Sequence, residues 1–203
     1  MTLSFLERFR AQRDLPQTPL FEGLPQVRAY WEGLRLNGQL PDRAALDPRG
    51  LGGMLDRVFL ADRIGRGLVQ IRVAGSGLAA FAGADVRGLP LSCLFASDSR
   101  PLLAQVLEDI FDTPAVAEID LGSDRRGGTA LLARMILLPL ADRSGQKLVL
   151  GAISFAEGAA PCKLQIRARR AETLDISTVQ AAKVPVPQPI RRYGHLALVH
   201  TSA

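Results

Sequence analysis

The stretch from Val69 to Phe95 constrains the fold of this chain more than any other. Val69-Gln70-Ile71-Arg72-Val73 alternates apolar with polar residues and runs into Ala74-Gly75-Ser76-Gly77; short apolar segments follow, punctuated by Gly83, Gly88 and Pro90. Period-two alternation specifies a half-buried strand, and glycines at that spacing leave room only for short helices. A strand that feeds into stubby helical pieces argues against a doubly wound sheet, in which a long helix follows each strand.

Other segments supply partners for that strand. Arg57 to Arg63 and Leu68 to Ala74 read as strands joined through Ile64-Gly65-Arg66-Gly67, whose glycines suit a hairpin. Ser99 followed by Pro101 gives an N-cap and an early-helix proline, and Leu102, Leu103, Val106, Leu107, Ile110 and Phe111 recur at helical spacing. Three strand candidates come next, Ala115 to Ser123, Thr129 to Leu140 and Lys147 to Ala156. The turns Asp124-Arg125-Arg126-Gly127-Gly128 and Asp142-Arg143-Ser144-Gly145 separate them as in an antiparallel meander.

Upstream, a helix is expected between Pro25 and Asn37, with Val27, Tyr30, Trp31 and Leu34 on one face and Gly38 as its stop. Pro41 to Pro48 is a turn region, and Asp47 starts a helix that includes Leu51, Met54 and Leu55. Leu3, Phe5, Leu6 and Phe9 alternate with charges as in a short amphipathic helix. The expected organisation is an amphipathic segment (1–22), an α+β domain (23–156) with a five-stranded antiparallel sheet and short helices on one face, and a basic, proline-containing, irregular tail (157–203).

Charge and cysteine usage narrow the function classes. The net charge is +5, yet residues 23–156 carry 15 basic against 14 acidic side chains and the tail carries seven against three. A body near neutrality offers no phosphate-tracking stripe, so nucleic-acid binding is not the expectation. Cys93 and Cys162 lie far apart without metal-ligand or disulfide-framework spacing, which reads as a cytoplasmic chain. The best apolar run, Ala130 to Ala141, is broken by Arg134 and is too short to span a bilayer, so integral membrane association is not expected.

The order of elements resembles the PAS domain. The residues carrying the resemblance are Tyr30-Trp31-Glu32-Gly33-Leu34-Arg35, the Pro41-Asp42-Arg43 to Asp47-Pro48 segment, and Arg72-Val73-Ala74-Gly75-Ser76 with Phe81-Ala82-Gly83 and Gly88 behind it. They are similar to a group of short, stand-alone bacterial PAS-domain proteins. The resemblance implies a non-enzymatic signalling module that binds a small molecule, a partner protein or both. It also implies a homodimer formed through the N-terminal helices, with Phe5, Phe9, Tyr30 and Trp31 as candidate contacts. A bound ligand would sit between sheet and short helices, bounded by Phe59, Ile71, Val73, Leu78, Phe81, Leu91, Leu94, Phe95, Leu103, Val106 and Met135.

Several constellations are better read as structure. Gly75-Ser76-Gly77-Leu78-Ala79-Ala80 fits a dinucleotide fingerprint, but Arg72 interrupts what should be a continuously apolar strand and Gly83 truncates the helix that would hold a pyrophosphate. Conventional haem ligation is disfavoured, because the only histidines are His195 and His200 in the tail. The Leu91-Ser92-Cys93-Leu94-Phe95 segment lacks the Asn-Cys-Arg-Phe pattern of flavin-adduct relatives, which leaves Cys93 as a small core hydrophobe. Trp31 and Tyr30 suit anchoring of their helix to the sheet or to another subunit, and Arg125-Arg126 a solvated turn. Glu108, Asp109 and Asp112 lie on the expected exposed side of a helix, and no nucleophile stands beside a base, so no catalytic residues are assigned.

Overall fold

The computed structural model describes residues 21–123 and 131–176, and a single antiparallel sheet of order β2-β1-β5-β4-β3-β6 organises them. Its strands are β1 (Val58–Gly65), β2 (Leu68–Ala74), β3 (Ala115–Ser123), β4 (Ala133–Leu140), β5 (Leu148–Phe155) and β6 (Leu164–Thr173). Three α-helices accompany them: α1 (Leu24–Gly33), α2 (Ser76–Ala82) and α3 (Arg100–Asp112), with 3-10 turns at Arg43–Ala45, Pro48–Met54 and Leu91–Leu94. The α+β, PAS-like architecture expected from the sequence stands, with six strands instead of five.

The additional strand falls inside the stretch read as an irregular tail. β6 pairs antiparallel with β3 along its whole length, from Ser123 opposite Leu164 to Ala115 opposite Thr173. Its sequence gives little sign of a strand, because Arg167, Ala168, Arg169 and Arg170 are exposed and carry little burial signal. Ladder hydrogen bonds use the backbone and do not need apolar side chains. Arginines along an edge strand also discourage a second chain from pairing there.

Both sheet faces are covered, and alternation along each strand sorts residues between them. One face carries Phe59, Ile71, Ile119, Leu121, Met135, Leu137 and Ile153 into a buried cluster with α2, Leu91–Leu94 and α3. The other carries Val116, Ile136, Leu138, Leu148 and Leu150 against α1 and the Pro48–Met54 turn. Central strands buried on both sides read as nearly continuous apolar runs, which accounts for Met135-Ile136-Leu137-Leu138 in β4. Phe59 faces Gly151 across the β1–β5 pair, and a Cβ on Gly151 would lie 2.0 Å from the Phe59 ring, so only glycine admits that ring.

Local expectations were met unevenly. Asp47 caps the Pro48–Met54 turn by accepting from the Arg49 N–H at 2.9 Å. α1 ends at Gly33, before the expected Gly38 stop. Ser99 precedes α3, but its hydroxyl does not cap that helix; Oγ accepts from the Ile166 N–H at 3.1 Å and so ties β6 to the start of α3. The expected helix around Leu3 to Phe9, the Asp124 to Gly128 turn with Arg125 and Arg126, and His195 and His200 lie outside the described residues.

Candidate functional site

α3 is held over the sheet by its apolar stripe, Leu103, Val106, Leu107, Ile110 and Phe111, all buried. A charged staple sets its position. Glu108 accepts from both Arg63 (2.9 Å) and the Gly67 N–H (2.6 Å), which pins the β1–β2 hairpin to the helix. The Arg63 guanidinium also lies 5.5 Å from the centre of the Phe111 ring. α2 follows β2 through a tight turn: the Gly75 N–H donates to Val58 O at 2.8 Å, and a Cβ at Gly75 would lie 2.3 Å from the Asp56 backbone. The glycines that imitate a dinucleotide motif therefore serve close packing, and Gly83, at φ 69°, ends the helix after seven residues.

Of the residues expected to bound a ligand, Phe59, Ile71, Leu78, Phe81, Leu91, Leu94, Phe95, Leu103, Val106 and Met135 converge in one buried cluster on the helical face. Val73 does not join them. A register irregularity between the Leu60–Val73 and Ala61–Ile71 pairs inserts Arg72 as a bulge. One extra residue reverses the alternation, so Val73 lies on the opposite face, 51% exposed. There it lines an apolar groove of about 280 Å³ with Leu46, Leu51, Leu55 and Leu60.

The helical-face cluster meets the surface at a cleft of about 420 Å³. Phe81, Val86 and Leu94 are shared between cleft and core. Ala82, Ala84, Leu89 and Cys93 continue the wall, and Pro161, Cys162 and Lys163 close the far side. Phe81 is held by stacking on Phe155, ring centres 4.1 Å apart. Lys163 Nζ donates to Cys93 O at 2.7 Å, joining the β5–β6 connection to the Leu91–Leu94 turn. Cys93, expected in the core, is half-buried on this wall.

Sequence reasoning missed Pro161, Cys162 and Lys163, because it assigned them to the tail. A signal existed in Leu164-Gln165-Ile166, where alternation resumes just after them. Beside the cleft, a salt bridge to Arg87 and the Arg87 N–H hold the Asp85 carboxyl down to about 2. The Arg87 guanidinium is correspondingly pushed up by Asp85.

Tyr30 and Trp31 are engaged within their own chain. Trp31 is fully buried and its Nε1–H donates to Pro139 O at 2.9 Å, while Arg35 lies 5.4 Å from the centre of its ring. Tyr30 hydroxyl accepts from the Asp47 N–H (2.7 Å) and donates to Asp47 O (2.9 Å), tying α1 to the following turn. Among the described residues, no three or more of His, Cys, Asp and Glu are grouped to hold a metal, and no helix is long and apolar enough to cross a membrane.

An antiparallel sheet, short helices packed over one face and a cleft opening between them define an α+β domain of PAS-like architecture. The sequence profile of the PAS domain family matches residues 22–154, most of the chain, and the protein belongs to that family. No curated protein matches the chain significantly. Family membership supports a general sensing and signalling role.

Proposed function

We propose that the protein is a non-enzymatic cytoplasmic sensor of the bacterial PAS type, which takes a small apolar ligand through the helical-face cleft and relays its presence to a signalling protein. The observation supporting this reading is continuity. Phe81, Val86 and Leu94 belong to both the cleft wall and the buried cluster, so a ligand entering there touches the packing of α2 and α3 against the sheet. Ligand occupancy then biases two packings of the domain, and the favoured one presents a different surface to the partner. Homodimerisation through the N-terminal segment, with Phe5 and Phe9, is part of the same reading.

The reading involves neither conventional haem nor flavin-adduct chemistry, since the histidines are confined to His195 and His200 and the flavin-adduct sequence pattern is absent. Purified protein is expected to be colourless in an absorbance scan.

A second reading, a ligand-free adaptor, is favoured by the complete burial of Ile71, Leu78, Leu91, Phe95, Leu103 and Met135 in the cluster where a ligand would insert. Native mass spectrometry and organic extraction of protein purified from its own host decide between them. A reproducible bound small molecule supports the sensor; protein that carries none yet retains its partner in pull-downs supports the adaptor. Salt-sensitive nucleic-acid binding by the full-length chain would overturn both.

A further inference from the structure

Cys93 and Cys162 are remote in sequence, yet the fold brings both to one cleft. Phe95 and Leu164 form a parallel bridge, and the Ala96 N–H donates to Leu164 O at 2.9 Å. At such a bridge the two backbones run side by side at about the spacing of neighbouring strands, roughly 5 Å. Cys93, in the Leu91–Leu94 3-10 turn, and Cys162, in the β5–β6 connection, each stand two residues before a member of the bridged pair. Lys163, next to Cys162, reaches the Cys93 residue directly, its Nζ donating to Cys93 O at 2.7 Å. Both thiols are free, half-buried and part of the cleft wall.

We propose that these two thiols form a dithiol site that a small disulfide oxidant converts into an intramolecular Cys93–Cys162 disulfide. One thiolate attacks the oxidant's sulfur–sulfur bond, forming a mixed disulfide and expelling one thiolate. The second cysteine then attacks the protein sulfur of that mixed disulfide and expels the other half of the oxidant. Two electrons and two protons leave the protein and appear as two molecules of reduced thiol. A disulfide needs Cα atoms about 4.4 to 6.8 Å apart, and both cysteines lie outside the sheet, Cys93 in a 3-10 turn and Cys162 in the β5–β6 connection. The cross-link ties that connection to the Leu91–Leu94 turn across the cleft mouth. The Lys163 ammonium favours an anionic oxidant, for which oxidised glutathione is the probe.

The inference uses the cleft but not the reading that a ligand enters it, and its test counts thiols, whatever else the protein binds. Full-length protein is treated with oxidised glutathione, quenched in acid and read by intact mass under denaturing conditions. The expected product has lost two hydrogen atoms, carries no glutathione, has no titratable thiol and recovers both with dithiothreitol. Peptide mapping then finds a Cys93–Cys162 cross-link. Cys93→Ser and Cys162→Ser instead accumulate a stable glutathione adduct on the remaining cysteine. Two persisting thiols, a stable adduct on wild-type protein or disulfide-linked dimers would each overturn the proposal. Should either variant fail to fold, the wild-type mass and peptide map decide alone.

Discussion

The two faces of the sheet are covered in different ways. On the helical face, α2, the Leu91–Leu94 turn and α3 all come from the stretch between β2 and β3, and they build a continuous cluster from β2 to the start of β6. On the other face, α1 comes from outside the run of strands and lies over β4 and β5, held by Trp31. The β1–β2 end of that face keeps its apolar groove, where Val73 and Leu55 are exposed. Many weak attachments spread along a stretch of chain make a redundant cover. A short helix whose hold rests on one large aromatic and a few smaller contacts, Leu24, Val27 and the Tyr30 hydroxyl, makes a cover in which one substitution removes a large share of the attachment.

The largest expected effect tests how far α1 depends on Trp31. Trp31→Ala removes a fully buried indole and its bond to Pro139 O, and is expected to cost about 3 to 5 kcal/mol in denaturant unfolding. A loss below about 1 kcal/mol would show that α1 is held by other means.

Ile71 and Val73 sharpen the contrast, since they stand two residues apart on one strand but face opposite sides. Ile71→Ala should cost about 2 to 5 kcal/mol, and Val73→Ala, at the groove, within about 0.5 kcal/mol. Equal losses at the two positions would contradict the bulge at Arg72.

Glu108→Gln probes the staple between hairpin and α3. It weakens the ion pair with Arg63 and the bond to the Gly67 N–H, with an expected loss of about 1 to 3 kcal/mol and faster amide exchange at Gly67. Unchanged exchange at Gly67 would place the attachment of α3 in its apolar stripe alone.

The smallest effect is the pH response of the loop beside the cleft. The Asp85 carboxyl titrates in the folded protein at about 2 against an ordinary 3.8. Its contribution is therefore present above 3.8 and is lost as pH falls through about 2. The stability difference between wild type and Asp85→Asn should shrink over that interval; a constant difference would mean that the Arg87 pair contributes nothing.

Much of the fold was legible because burial on one side of an element writes a period into its side chains. The limits of β2 and β3 stand as the sequence predicts, β1, β4 and β5 fall within a few residues of expectation, and the α3 stripe matches except at Leu102, which is exposed. The buried cluster was legible for the same reason, apart from Val73. Its misplacement arose from a bulge, which depends on how β2 pairs with β1 and leaves no mark in the alternation of Val69 to Val73. Ser99 shows a related limit. Its type suits a helix cap, but its hydroxyl serves a backbone N–H that arrives from Ile166.

What the sequence determined by itself was local: where strands and helices run, where turns interrupt them and which side chains seek burial, because each depends on neighbours within a few positions. Tertiary structure alone decided that an arginine-rich segment becomes β6, that Val73 faces away from Ile71, and that Cys93 and Cys162 share a cleft. Those outcomes rest on backbone pairing between distant segments, and a peptide N–H or carbonyl is the same group whichever side chain stands beside it.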